Sequence, residues 1–193
     1  MSSYSFDSEE KSNGEDTESK TKNDDQEINL NLDLIKSISK TLTMILEENK
    51  YLKNYKEIIQ KQSKMVFSAK IVPGISINDY LKRIQKYTNI EKNTLIISLI
   101  LIDRFCEISK TILTYYNIHR ILFSAILMSI KYNEDSFYDN KYYSQIAGVK
   151  VKELQILEYN FIKLLNCELY VSRELYDKYQ VYLENFKFDE DDK

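Results

Sequence analysis

Two stretches of this chain leave a helix no side to turn toward water. Between Lys92 and Ser109 the sequence carries Leu95, Ile96, Leu99, Ile100, Ile102, Phe105 and Ile108. On a helical repeat these cover most of the circumference. Between Asn117 and Lys131, the residues Ile118, Ile121, Leu122, Ala125, Ile126, Met128 and Ile130 do the same. Such a helix is stable only when neighbours cover it on several sides, so the two form the centre of a bundle ringed by more amphipathic helices. The longest apolar run, Leu95 to Ile102, is less than half a membrane span, which excludes a membrane-spanning reading.

The surrounding helices follow from apolar spacing. Leu30, Leu34, Ile38, Leu42, Ile45 and Leu46 recur at three- and four-residue steps and predict an amphipathic helix from about Ile28 to Leu52. A more polar stretch follows and closes at Pro73-Gly74. Ile77, Tyr80, Leu81, Ile84 and Tyr87 then share one face, with Ser76 as N-cap and Asp79 three residues on. A short helix, Tyr142 to Ala147, ends at Gly148, a residue suited to a left-handed C-terminal position. Leu154, Leu157, Phe161, Ile162, Leu164 and Leu165 predict another helix, and a last one spans about Arg173 to Tyr182. With three Gly and one Pro in 193 residues, the turns of a β fold are lacking, and an all-α protein is expected.

Residues 1–26 are Ser, Glu, Asp, Lys and Asn with almost no apolar content and read as a disordered acidic tail. Residues 27–66 read as an N-terminal helix and linker, 67–186 as the main domain with a C-terminal helix, and 187–193 as an acidic disordered end. In "SFDSEE", Ser8 precedes acids in a pattern that acidophilic kinases use, although a solubilising tail is the simpler reading. Residues 1–27 carry nine acids and three lysines, so a chain of net charge −3 has a mildly basic body. That is not the clustered Lys and Arg of a nucleic-acid surface. The start lacks the basic and apolar parts of a secretory signal. Cys106 and Cys167 form no metal-type pair and read as reduced packing residues in helical patterns. A cytoplasmic or nuclear setting is expected.

Catalysis needs paired groups in one pocket. The one histidine, His119, begins a buried helix without an identifiable nucleophile and reads as a packing or capping residue. Glycines at 14, 74 and 148 cannot build a phosphate-binding loop. Glu134, Asp135 and Asp139 lack the alternate oxygens and central Gly of a calcium loop. Neither a metal, a cofactor nor an enzymatic activity is expected. What stands out is "KYNEDSFYDNKYYSQIAG", Lys131 to Gly148, which holds three acids, four tyrosines and a Phe directly after a buried helix. That aromatic content is unlike a solvated loop and suits an interface.

These motifs, in order and spacing, resemble a known family. "SINDYLKRIQKYTN", "LIISLILIDRF", the stretch through "KYNEDSFYDNKYYSQIAG", and "ELQILEYNFIKLLNCELYV" resemble the cyclin box of the P/U-type cyclins, related to the phosphate-response cyclin. The resemblance covers about Phe67 to Leu183, and "ISKTLTMILEENKYL" looks like the family's N-terminal helix. It implies a single five-helix cyclin box with an extra N-terminal helix and one or two C-terminal helices. It also implies a non-catalytic subunit that binds and activates a cyclin-dependent protein kinase, with no homo-oligomer expected.

By position, Lys131 and Glu158 match the Lys and Glu with which cyclins reach the kinase. Tyr132, Phe137, Tyr138 and Tyr142 are expected on the same face. A Lys131–Glu158 pair at the edge of the core makes physical sense, because a buried charge is costly unless paired. Asp103 and Arg104 match a structural Asp-Arg of the family, and Gly148 a structural glycine. Where classical cyclins supply an Arg to that Asp, this chain has Pro73 and Gly74, which leaves Arg83 as the substitute. The same departure removes the classical substrate-docking motif. An alternative reading, a cyclin-fold adaptor in transcription, calls for clustered basic residues and a second repeat, and neither is visible.

Overall fold

The computed structural model describes the backbone of residues 15–185 and the side chains of residues 32–185. Among the described residues there are eight helices and no strand, an all-α fold. They are α1 (Glu15–Lys50), α2 (Tyr55–Gln62), α3 (Ile77–Thr88), α4 (Lys92–Ser109), α5 (Ile118–Asn133), α6 (Asn140–Ala147), α7 (Val151–Leu164) and α8 (Arg173–Asn185). The expectations for Ser8 and for the acidic end at 187–193 lie outside the described residues.

α5 is the axis. From Ile118 to Ile130, every side chain except Arg120 is buried. It packs on α4 and α7, while α6 lies across α7 and α3, and α1 and α8 close the outer side against α3 and α4. At the centre Phe105 stacks on Phe161 at 5.0 Å, and Phe67 meets both rings edge-on. Phe67 thus pins the segment between α2 and α3 to the core, since edge-to-face contacts add to the area each ring buries.

Helix ends follow local chemistry. The Ser76 Oγ accepts from the Asp79 N–H at 3.0 Å and donates to the Asp79 carboxylate at 2.7 Å, which starts α3. Gly148 ends α6 at φ 72°, with its N–H on the Ser144 carbonyl. In α4, which spans Lys92–Ser109 as its apolar pattern requires, the last turn leads into Lys110 at φ 54°.

Three expectations change. α1 begins at Glu15 rather than near Ile28, so helical backbone runs through residues 15–26 of the expected disordered tail. Glu and Lys in that stretch favour a helix while its more numerous Asp, Thr, Ser and Asn do not, so it extends a helix whose nucleus is held elsewhere. The nucleus is the stripe Leu34, Ile35, Ile38, Leu42 and Leu46, all in the core. Second, the polar linker contains α2, whose last residue, Gln62, is buried with its carboxamide against Asn117 and the Ile112 backbone. Third, α7 stops at Leu164, so Cys167 is exposed at φ 61° instead of packed in a helix. Asn166 and Cys167 are successive left-handed residues, and the Cys167 N–H turns back to the Ile162 carbonyl. Cys106 does pack against the core, and burial pushes its thiol up to about 12.

Candidate functional site

Lys131 is where α5 emerges from the core after the buried run of residues 121–130, and Glu158 stands mid-way along α7 beside it. The Lys131 Nζ lies 2.5 Å from the Glu158 Oε1, and both side chains are about one-fifth exposed. Asn140, the first residue of α6, completes a closed set. Its Oδ1 accepts from Lys131 Nζ at 2.8 Å, and its Nδ2 donates to Glu158 Oε2 at 2.6 Å. Three helices therefore meet at one ion pair whose two ends are bridged by an amide. A pair only one-fifth exposed gains more from such geometry than from the bare Coulomb term, because fewer rotamers remain to be lost.

Asn140 is the member that the Lys and Glu positions do not reveal. The signal is local: Asp139 precedes it as an N-cap, accepting from the Tyr142 N–H at 2.8 Å, and that cap aims the next side chain back at α5. Asp139 is thus a helix cap. Glu134 ends α5 and accepts from the Glu91 N–H at 3.3 Å; burial raises the pKa of its carboxyl above the usual value. Asp135 is exposed. Among the described residues no group of three His, Cys, Asp or Glu side chains is placed to hold a metal.

The aromatic loop after Lys131 is ordered from within. Tyr143 is buried, and its hydroxyl accepts from the Tyr138 N–H at 3.2 Å. The Tyr138 and Tyr142 rings lie against each other at a tilt, their centroids 4.3 Å apart, and the Tyr142 hydroxyl donates to the Tyr87 carbonyl at 2.7 Å. Tyr142 is consequently half-buried in the fold, whereas Tyr132, Phe137 and Tyr138 each expose slightly more than half of their surface. Ile156 and Tyr159, one turn apart on α7 and next to Glu158, are also exposed. These two fall off the core stripe, and apolar residues outside a helix's stripe are the pattern that marks a contact face.

The Asp-Arg pair of α4 works differently from the expectation. Asp103 accepts from the Tyr179 hydroxyl at 2.5 Å, and Arg83 instead donates to the Gln145 carbonyl at 2.8 Å, joining α3 to α6. Arg83 stands on the α6 side of α3, while α8 packs directly on α4. Arg104 donates to the carbonyls of Glu168 and Tyr170, at 2.6 and 3.1 Å, holding the turn after α7. His119 is a packing residue: its Nε2 lies 3.0 Å from the Ile75 carbonyl and its ring stands edge-on to Tyr80.

A paired Lys and Glu joining the third and fifth helices of a five-helix box, α3 to α7, is the arrangement expected of a cyclin. The chain belongs to the cyclin family: the family model described as Cyclin matches residues 7–169. Within the family it groups with the P/U type. It is 30% identical to Cyclin-U4-1 of Arabidopsis thaliana over 152 residues, 78% of this chain and 74% of that protein. It is 32% identical to Cyclin-U2-1 of the same plant over 120 residues, 62% of this chain and 54% of that protein. Cyclin-P3-1 of Oryza sativa subsp. japonica is 27% identical over 124 residues, 64% of this chain and 52% of that protein. The chain therefore spans between about half and three quarters of the length of these relatives. Cyclins are non-catalytic regulatory subunits. Among the described residues no helix is long and apolar enough to cross a membrane.

Proposed function

We propose that this cyclin binds and activates a cyclin-dependent protein kinase through the face built on Lys131, Glu158 and Asn140, with Tyr132, Phe137, Tyr138 and Tyr142 beside them. The observation that carries the reading is the closed Lys131–Glu158–Asn140 set next to exposed aromatic side chains. Family membership supports the class of partner.

The mechanism follows from the two kinds of contact. Exposed rings supply apolar area whose burial drives association, and Tyr and Phe do so with few rotamers to lose. The polar set supplies register. Its groups are already paired, so docking desolvates them without leaving a lone charge, and a misaligned partner meets an unmatched Lys or Glu. A kinase regulatory helix held against this face keeps its Glu on the nucleotide-binding Lys, the condition for phosphoryl transfer. The heterodimer acts in the cytoplasm or the nucleus.

The test is the double variant K131A/E158A, which removes both charges and leaves no unpaired one. It is expected to lose kinase activation in a pull-down assay on a histone-type substrate while keeping its helical circular dichroism. Retained activation sinks the assignment.

A further inference from the structure

Six ion pairs hold surface cations of this chain among the described residues, and none includes Lys82, Arg83 or Lys86. These three stand within two turns on the exposed face of α3 and line a cleft of about 580 Å³ between α3 and α6. Arg83 is fixed by its bond to the Gln145 carbonyl on the far wall. Lys86 lies along the Tyr87 ring, its Nζ 5.6 Å from the centroid. The Tyr142 hydroxyl, bonded to the Tyr87 carbonyl, closes one end. At the other end is the one acid of the cleft, Asp79, whose carboxylate is already occupied by the Ser76 hydroxyl.

We propose that this cleft binds a phosphorylated acidic peptide segment of another protein. Three cations and one acid give a net charge of +2 on the cleft wall, in a chain whose total is −3. Residues 1–27 carry the chain's negative excess and residues 28–193 sum to +3, so the cleft concentrates most of the body's surplus positive charge. Lys82 and Lys86, four residues apart, project side by side and can hold one phosphate from the same edge, while Arg83, further round the helix, meets it from the α6 side. A phosphate carries close to two charges and three strong acceptor oxygens, which suits such a cluster better than a carboxylate does. The cleft is short and walled by α6, the wrong shape for the long basic stripe that tracks a nucleic-acid backbone. Tyr142 belongs both to this cleft and to the face proposed for the kinase, so a segment held here lies beside that kinase. That placement rests on the kinase reading; the binding itself does not.

The full chain without a kinase is titrated against a short fluorescein-labelled acidic peptide with one phosphoserine, followed by anisotropy. Saturable binding is expected, weaker for the unphosphorylated peptide and weaker as salt rises. K82E/K86E is expected to weaken it about tenfold or more, and K82R/K86R to retain it. The single K86A gives a smaller loss in the same direction and serves should the double reversal fail to fold. K131A/E158A is expected to bind the phosphopeptide like the wild type, so failure of the kinase reading leaves this one standing. No saturable binding, or binding that the Lys82 and Lys86 variants leave unchanged, overturns the proposal. So does equal, variant-sensitive binding of an RNA oligonucleotide or of phosphatidylserine vesicles, which would make the cleft a general polyanion surface.

Discussion

The hydroxyl of Tyr179 donates to the carboxylate of Asp103 at 2.5 Å, so the acid of α4 is matched from the C-terminal helix. Two more polar contacts lie along the same seam: Tyr176 to Asn93 at 2.5 Å and Lys92 to Glu184 at 2.9 Å. α8 is therefore a fitted part of the bundle, with Leu183 buried at its end. Replacing Tyr179 by Phe removes one hydrogen bond to a charged acceptor and leaves the ring. A loss of about 1 kcal/mol is expected, read as a drop of about 2–4 °C in Tm. An unchanged Tm would mean that water replaces the hydroxyl at no cost.

Asn140→Ala separates positioning from charge. The Lys131–Glu158 contact survives, while both amide bonds to it are lost. Stability is expected to fall by about 1 kcal/mol. Kinase activation is expected to fall too, though less than in K131A/E158A, when both proteins are assayed at equal concentration. Wild-type activation by this variant would remove Asn140 from the working set.

His119 makes stability depend on pH. Burial lowers its pKa below the usual histidine value, although the bond to the Ile75 carbonyl opposes this, and Nδ1 is buried with no partner. The unfolded chain protonates near pH 6.5, whereas the folded chain resists until lower pH. The contribution is fully present above that value and is lost as pH falls through the folded pKa. Glu134, its pKa raised by burial, acts with the opposite sign as pH falls. The informative quantity is then the difference between wild type and His119→Gln. Denaturant midpoints are expected to fall more steeply for the wild type from about pH 7 to about pH 5, and parallel curves would contradict this.

Gly148→Ala tests backbone alone. A Cβ there meets nothing within 4 Å, but φ is 72°. A cost of about 1 kcal/mol is expected from the left-handed conformation, visible as a lower urea midpoint with an unchanged slope. Gly148→Asn is expected to lose less.

The bundle's centre was legible because α4 and α5 are apolar all round, and burial is the only outcome for such helices. The start of α3 was legible because Ser76 and Asp79 are adjacent groups with a fixed geometry. In the site, Lys131 and Glu158 came from the resemblance to the cyclin box, with which their place as charges bordering apolar faces agrees, and the two are paired. Asn140 and Tyr179 were not legible, since each is a polar residue on a helix whose partner is set by how two helices cross, which spacing along the chain does not encode. The same holds for α2. Its single buried side chain, Gln62, is polar, so no apolar stripe announces it.

α1 has a bearing on where this protein can be cut. Leu34, Ile35, Ile38, Leu42 and Leu46 share one continuous core with Ile84, Leu95 and Leu183. A fragment trimmed to begin at Phe67 would bare the faces of α3, α4 and α8 that α1 covers. Such a fragment would be prone to self-association, because an apolar seam of that length finds another surface when its own helix is gone. The smallest piece that can serve as a soluble reagent therefore starts before Leu34.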